Sequence, residues 1–300
     1  MCVAAAPARF TGTTVYVGSV NHERHGLVHV LGYQNTARNL TSGPNAMLLH
    51  LPAIGMQPNQ FLDTSTCRHI LDDMVSALRP KPRSLARFRG PVAAGRVQIF
   101  EHDIYTVILA EDPVAIPSSL QKIEKRKRIA ENSELFAFYS KYSPKYPVAL
   151  CCFDNADAAR ASPILLWYKP LHPNEFAAPA IDSHTGSAPD LSAHVLVDHW
   201  VIFGCDDALG TGVWYQDNPP DEVRPFLPRR VVGRQFSGKF PNGDFIGTKA
   251  GSESPTFLRR SPVKEVRMVD QVNPKPSRME KLGRRFRQWL KRPKENSGAT

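Results

Sequence analysis

The sequence predicts an α+β protein: a strand-rich body with two or three helices, followed by an irregular Pro-rich basic tail and a terminal amphipathic helix. Three observations predict it. Runs of β-branched and aromatic residues separated by short polar turns fill most of the first 205 residues. Two stretches switch to apolar residues three and four apart, the helical spacing. Beyond Gly204 the composition turns to Pro, Gly and Arg with only short apolar runs. With 300 residues, 42% of them apolar and 9% aromatic, there is material for a substantial core.

Taken in order, TTVYVGSV (13–20) and GLVHVLGYQ (26–34) read as strands, with NHERH between them as a hairpin loop. NAMLLHLPA (45–53) is a short apolar strand closed by proline. DTSTCRHILDDMVSALRP (63–80) sets Ile70, Leu71, Met74, Val75 and Leu78 at helical spacing, and Pro80 stops it. Residues 96–110 read as two strands around a polar turn. Residues 117–143 read as helix in two pieces, the second capped by Asn132 or Ser133. PVALCCF (147–153), SPILLWY (162–168) and AHVLVDHWVIFG (193–204) complete the strands. The expected organisation is a body over 1–205, a Pro/Gly/Arg-rich extended segment over 206–276 and a helix over 277–292.

Charge is divided unevenly. Residues 221–300 hold 19 Lys and Arg against 8 Asp and Glu, net +11, whereas residues 1–220 are net −1. A neutral body with a basic tail points to an anionic partner, which is nucleic acid, a membrane surface or an acidic protein face. Five cysteines, Cys2, Cys67, Cys151, Cys152 and Cys205, lack the spacing of a disulfide framework and suit a reducing compartment. The N-terminus MCVAAAPARF has no basic residues ahead of an apolar run, and no window reaches 18 consecutive apolar residues. The expectation is a cytoplasmic protein without a transmembrane segment, able to attach peripherally to a membrane.

The run VHVLGYQNTARNLTSGPNAMLLHLPAIGM, then ILDDMVSALRP, YTVILAEDPVAIPSSL, ELFAFYSKYSPKYPVALCCF and SPILLWYKPLHPNEFAAPAID, resembles in block order a bacterial domain family of unknown function usually met as exported proteins. The resemblance spans residues 13–205. It implies an α+β body and supplies no activity; this chain departs from it in lacking an export signal and in adding the basic tail.

The catalytic candidate is Cys2. Removal of Met1 would leave its thiol beside a free α-amino group, which titrates near neutrality and can act as base for the thiol. In this the start CVAAA resembles the N-terminal-nucleophile hydrolases, whose first strand begins with the nucleophile, and an amidohydrolase activity would follow. The alternative is a small apolar residue opening a core strand. A polar cluster, Asp182, His184, Asp190, His194, Asp198 and His199, has the donors for a metal, but on a strand His194 and Asp198 stand about 13 Å apart at ~3.3 Å per residue. His199 falls on the opposite, apolar face with Val195, Val197, Val201 and Phe203. No metal or cofactor is therefore expected. Two basic runs, RPKPRSLARFRGP (79–91) and KIEKRKR (122–128), have the groups for phosphate recognition, although a charge run is more often a solvated face.

SRMEKLGRRFRQWLKR (277–292) carries the candidate binding residues. Ser277 and Glu280 form a capping box after Pro276. Met279, Leu282, Phe286, Trp289 and Leu290 fall within an arc of about 100°. Arg278, Lys281, Arg284, Arg285, Arg287, Lys291 and Arg292 occupy the remainder. A helix this short is marginal in water, so its apolar stripe needs a surface: an anionic bilayer, a partner's groove or the protein's own body.

Overall fold

Residues 3–4, 9–38, 43–79, 99–183, 185–204, 210–248, 256–260 and 265–267 are described by the structure, a computed structural model. In chain order the strands are β1 (Val3–Ala4), β2 (Arg9–His22), β3 (Gly26–Arg38), β4 (Pro44–His50), β5 (Phe61–Leu62), β6 (Ile99–His102), β7 (Tyr105–Ala110), β8 (Val148–Asp154), β9 (Ile164–Tyr168), β10 (Glu175–Ala178), β11 (His194–Gly204), β12 (Thr211–Gly212), β13 (Arg230–Pro241), β14 (Asp244–Thr248), β15 (Thr256–Arg260) and β16 (Glu265–Arg267). The helices are α1 (Ile70–Leu78), α2 (Ile116–Leu120) and α3 (Ser133–Tyr142). Among the described residues the strands make three sheets, ordered β1-β4-β8-β7-β6, β12-β13-β11-β2-β3-β9-β5 and β10-β14-β15-β16.

The expected hairpin forms between β2 and β3. Its register runs to His22 opposite Gly26, and Gly26 takes φ +68 to close the loop. The polar turn between β6 and β7 is tighter, with Asp103 at φ 52, a conformation a short polar side chain tolerates.

The sheets and helices stack in four layers. Val15, Val17 and Leu31 of the seven-stranded sheet pack against Met47, Leu49, Val107 and Cys151 of the five-stranded one, with Phe245 from the third sheet in the same core. On the outer face of the seven-stranded sheet, Tyr16, Val30 and Ile202 meet Ile70, Leu71 and Met74 of α1. On the outer face of the five-stranded sheet, Leu48, Ile108 and Leu150 meet Ile116 of α2 and Leu135, Phe136 and Tyr139 of α3. Sandwiched strands must be apolar on both faces. That is why β8 reads VALCCF without alternation: Cys151 enters one core and Cys152 the other.

Helix boundaries follow local hydrogen bonding. The helix expected from residue 63 begins at Ile70, because Asp63 accepts the Ser65 N–H at 2.9 Å and the Thr64 hydroxyl donates to the Pro163 carbonyl at 2.5 Å. Such bonds compete with a helical turn. The two pieces expected within 117–143 are present, and the Asn132 side chain caps the second by accepting the Leu135 N–H at 3.0 Å.

The division expected at residue 206 needs correction. β13 pairs with β11 along its whole length, His194 to Gly204. Phe236 and Phe245 lie in the central core, and Val223, Phe226, Leu227 and Val231 in the core under α1. Residues 210–248 are thus part of the body. Their apolar residues escape an alternation test because they serve different faces, Val231 one side of its sheet and Phe236 the other.

Candidate functional site

Cys2 and the candidate binding residues Arg278, Lys281, Arg284, Arg285, Phe286, Arg287, Trp289, Leu290 and Lys291 all lie outside the described residues. So do His184 and, from the first basic run, Lys81, Arg83, Arg87 and Arg89. The residues following Cys2 form β1, whose Val3 stands opposite Leu48 at the edge of the five-stranded sheet.

The described members of the polar cluster are held apart. Asp190 accepts the Ser192 N–H at 2.8 Å and hydroxyl at 2.6 Å, and these bonds hold its carboxyl below the usual range. Asp198 accepts from Gln235 Nε2 at 2.8 Å on one side of its sheet, while His199 is buried on the other. The Asp182 N–H donates to Asn242 Oδ1. Among the described residues no three His, Cys, Asp or Glu side chains converge as metal ligands. Burial pushes the Cys67 and Cys152 thiols up to about 12, so neither supplies a thiolate near neutrality.

The basic run 122–128 is partly engaged within the fold: Lys127 is buried, while Lys122, Lys125 and Arg126 are exposed. Arg126 bonds Glu124 at 3.0 Å and Asp157 at 2.7 Å. Buried Lys127 reaches Glu101 at 2.7 Å. The Arg128 guanidinium donates to the Gln121 and Ile123 carbonyls. Three of the cations that suggested phosphate binding are engaged within the fold, and two of their partners, Asp157 and Glu101, are too distant in sequence for the run to announce.

Along β13 the arrangement is the reverse. From Arg224 to Gly243 there is no Asp or Glu. Arg230 donates to the Gly210 carbonyl at 2.8 Å, and the Arg234 guanidinium sits 5.1 Å from the Phe236 ring centroid. Among the described residues, Arg229, Arg230, Arg234 and Lys239 have no carboxylate partner. Four cations of the body therefore stand along one sheet edge without an ion pair, with Asp198, bonded to Gln235, the carboxylate beside them.

Two polar groupings carried no signal in the sequence. Asp244 is buried and accepts from His50 Nε2 at 2.6 Å, Tyr142 Oη at 3.1 Å and the Ala180 and Ile181 N–H groups at 2.7 and 3.2 Å. Burial alone would raise its pKa, but His50 and these bonds together outweigh burial and hold it down. At the start of α1, Asp217 accepts from the His69 N–H at 2.9 Å and from His69 Nδ1 at 2.8 Å, a carboxylate at a helix N-terminus. Nearby Asp73 is pushed up to about 6 by burial, against the Gln216 N–H and with the help of the Asp217 charge.

Between α1 and the seven-stranded sheet lies a cleft of about 300 Å³ lined by Thr14, Asp72, Ser76, Arg79, Trp200 and Gln235. Arg79 stands 5.4 Å from the Trp200 ring centroid, within cation–π range.

No protein-family model matches the chain. No curated protein matches it. Among solved structures it is similar to the crystal structure of baculovirus P35, at 12% identity and a TM-score of 0.43 over 89% of this chain and 95% of that one. It is also similar to the crystal structure of the caspase-8/P35 complex, at 12% identity and a TM-score of 0.38 over 86% of this chain and 91% of that one. Both likenesses are distant in sequence and loose in superposition.

Proposed function

We propose that this chain acts by binding: a neutral body presents a basic C-terminal arm whose segment 277–292 engages an anionic surface, either a membrane or an acidic protein partner. The observation that carries the reading is the distribution of cations. In the basic run of the body at 122–128, Arg126 and Lys127 form ion pairs within the fold, while beyond residue 248 the chain holds 14 Lys and Arg against 5 Asp and Glu. Among the described residues no helix is long and apolar enough to cross a membrane. Attachment to a bilayer would therefore be peripheral, with Phe286 and Trp289 at the headgroup boundary and each nearby cation adding ~1 kcal/mol. A cytoplasmic setting belongs to the same proposal.

Flotation with phosphatidylserine vesicles, comparing the full chain with one ending at Pro276, tests it. The full chain floats at low salt and is released as salt rises; the shorter chain stays below. Equal flotation of the two rejects the arm. Binding to an acidic protein column, lost with the same truncation and without flotation, selects the protein partner. Nucleic-acid binding whose affinity falls steeply with salt and vanishes with the arm would transfer the reading to a polyanion of that class.

A second reading draws support from β1. A strand starting at Val3 would set Cys2 at its head, as an N-terminal-nucleophile amidohydrolase requires. Intact-mass measurement decides a necessary condition: retained Met1 eliminates this activity.

A further inference from the structure

We propose that the outer edge of β13, from Val232 to Ser237, accepts an extended acidic peptide from a protein partner as an added antiparallel or parallel strand. β13 is paired along its inner side with β11, but on its outer side β12 reaches only Val231 and Arg230. Beyond that point, among the described residues, nothing pairs with it.

Two bonds show which backbone groups face outward. The Val213 N–H donates to the Arg229 carbonyl on the β12 side. The Gln235 carbonyl is turned away from β11 as well, since it accepts the Arg234 Nε–H at 3.5 Å. Alternation along a strand then directs the N–H and C=O of Gly233, Gln235 and Ser237 outward. The regular edge ends at Gly238, which takes φ +122. Six residues give an edge about 20 Å long, the length of an ordinary strand.

Charge selects the occupant. Arg229, Arg230, Arg234 and Lys239 flank this edge without a described carboxylate partner, and the chain has no acid between residues 223 and 243. A second copy pairing edge to edge would bring these cations against their own kind, which is how charged edges discourage self-association. An extended segment bearing Asp or Glu meets them favourably, gaining main-chain hydrogen bonds for affinity and ion pairs for selection. This surface is separate from the arm at 277–292 and stands whether or not the arm binds a membrane.

The test uses the full chain and a labelled eight-residue peptide of alternating Glu and Val, followed by fluorescence anisotropy. Gln235→Pro removes an outward N–H while sparing the bonds to β11; Gln235→Ala removes the same side-chain bond to Asp198 and keeps the N–H. The peptide binds wild type and Gln235→Ala alike and Gln235→Pro about tenfold more weakly. A Lys-Val peptide does not bind. On wild type, bound peptide slows exchange of the Gly233, Gln235 and Ser237 amides. Equal binding to Gln235→Pro and Gln235→Ala overturns the proposal and assigns the peptide elsewhere, the arm included. Absence of binding overturns it, as does protection of these amides by self-association without peptide. Should Gln235→Pro fail to melt cooperatively, exchange on wild type decides alone.

Discussion

Asp244 shows what one buried carboxylate can hold together. Its two oxygens join the end of β4 through His50, α3 through Tyr142 and the 180–181 segment through two backbone N–H groups. Replacing it with Asn keeps the shape but removes the charge that His50 faces. Hydrogen bonds to a charged group are worth about 1.5–3 kcal/mol, and a loss of that order will register in a urea unfolding midpoint. The pH dependence has a defined sign. The folded pKa lies below the unfolded one, so the contribution is complete above the ordinary carboxylate range and is lost as pH falls through the lowered folded value. Wild type therefore loses this increment on acidification, and Asp244→Asn, which lacks it, shows a shallower acid limb.

At the scale of elements, the β11–β13 ladder is the joint that binds the C-terminal segment to the body, and Gly233 is its tightest point. A Cβ added there would stand 2.3 Å from the Val201 carbonyl oxygen, a backbone atom that cannot step aside. Gly233→Ala is expected to lower stability by about 1–3 kcal/mol, the usual cost of forcing atoms into a packed site, measured as a fall in Tm. Gly212, also paired to β13 but with nothing within 4 Å of an added Cβ, is the matched control, and Gly212→Ala leaves Tm nearly unchanged. The start of α1 makes a related point. Its leading N–H is satisfied by Asp217, 148 residues away, and nothing near residue 69 announces that cap.

For the whole molecule, the cores decide what can stand alone. The chain ending at residue 205 lacks Phe236 and Phe245 from the central core and Val223, Phe226, Leu227 and Val231 from the core under α1. Burying such a side chain contributes about 1.5–3 kcal/mol, so the six together account for about 9–18 kcal/mol, comparable with the whole 5–15 kcal/mol by which domains are stable. Residues 1–205 alone are expected to show no cooperative thermal transition by circular dichroism. A cooperative transition would restore the division at 206.

By itself the sequence determined the longer strands of the first 205 residues, the two-piece helix with its cap at Asn132 or Ser133, and the sorting of Cys151 from Cys152, because each depends on periodicity or chemistry within a few residues. Inward-facing His199 was legible for the same reason. It also determined that positive charge accumulates beyond residue 220. Only the tertiary structure decided which cations stay unpaired, that Asp244 and His50 meet across 194 residues, and that 210–248 completes the sheets. Those outcomes rest on contacts between segments remote along the chain. Loop closure costs free energy that grows only slowly with separation, so distant partners meet readily while leaving no local pattern to read.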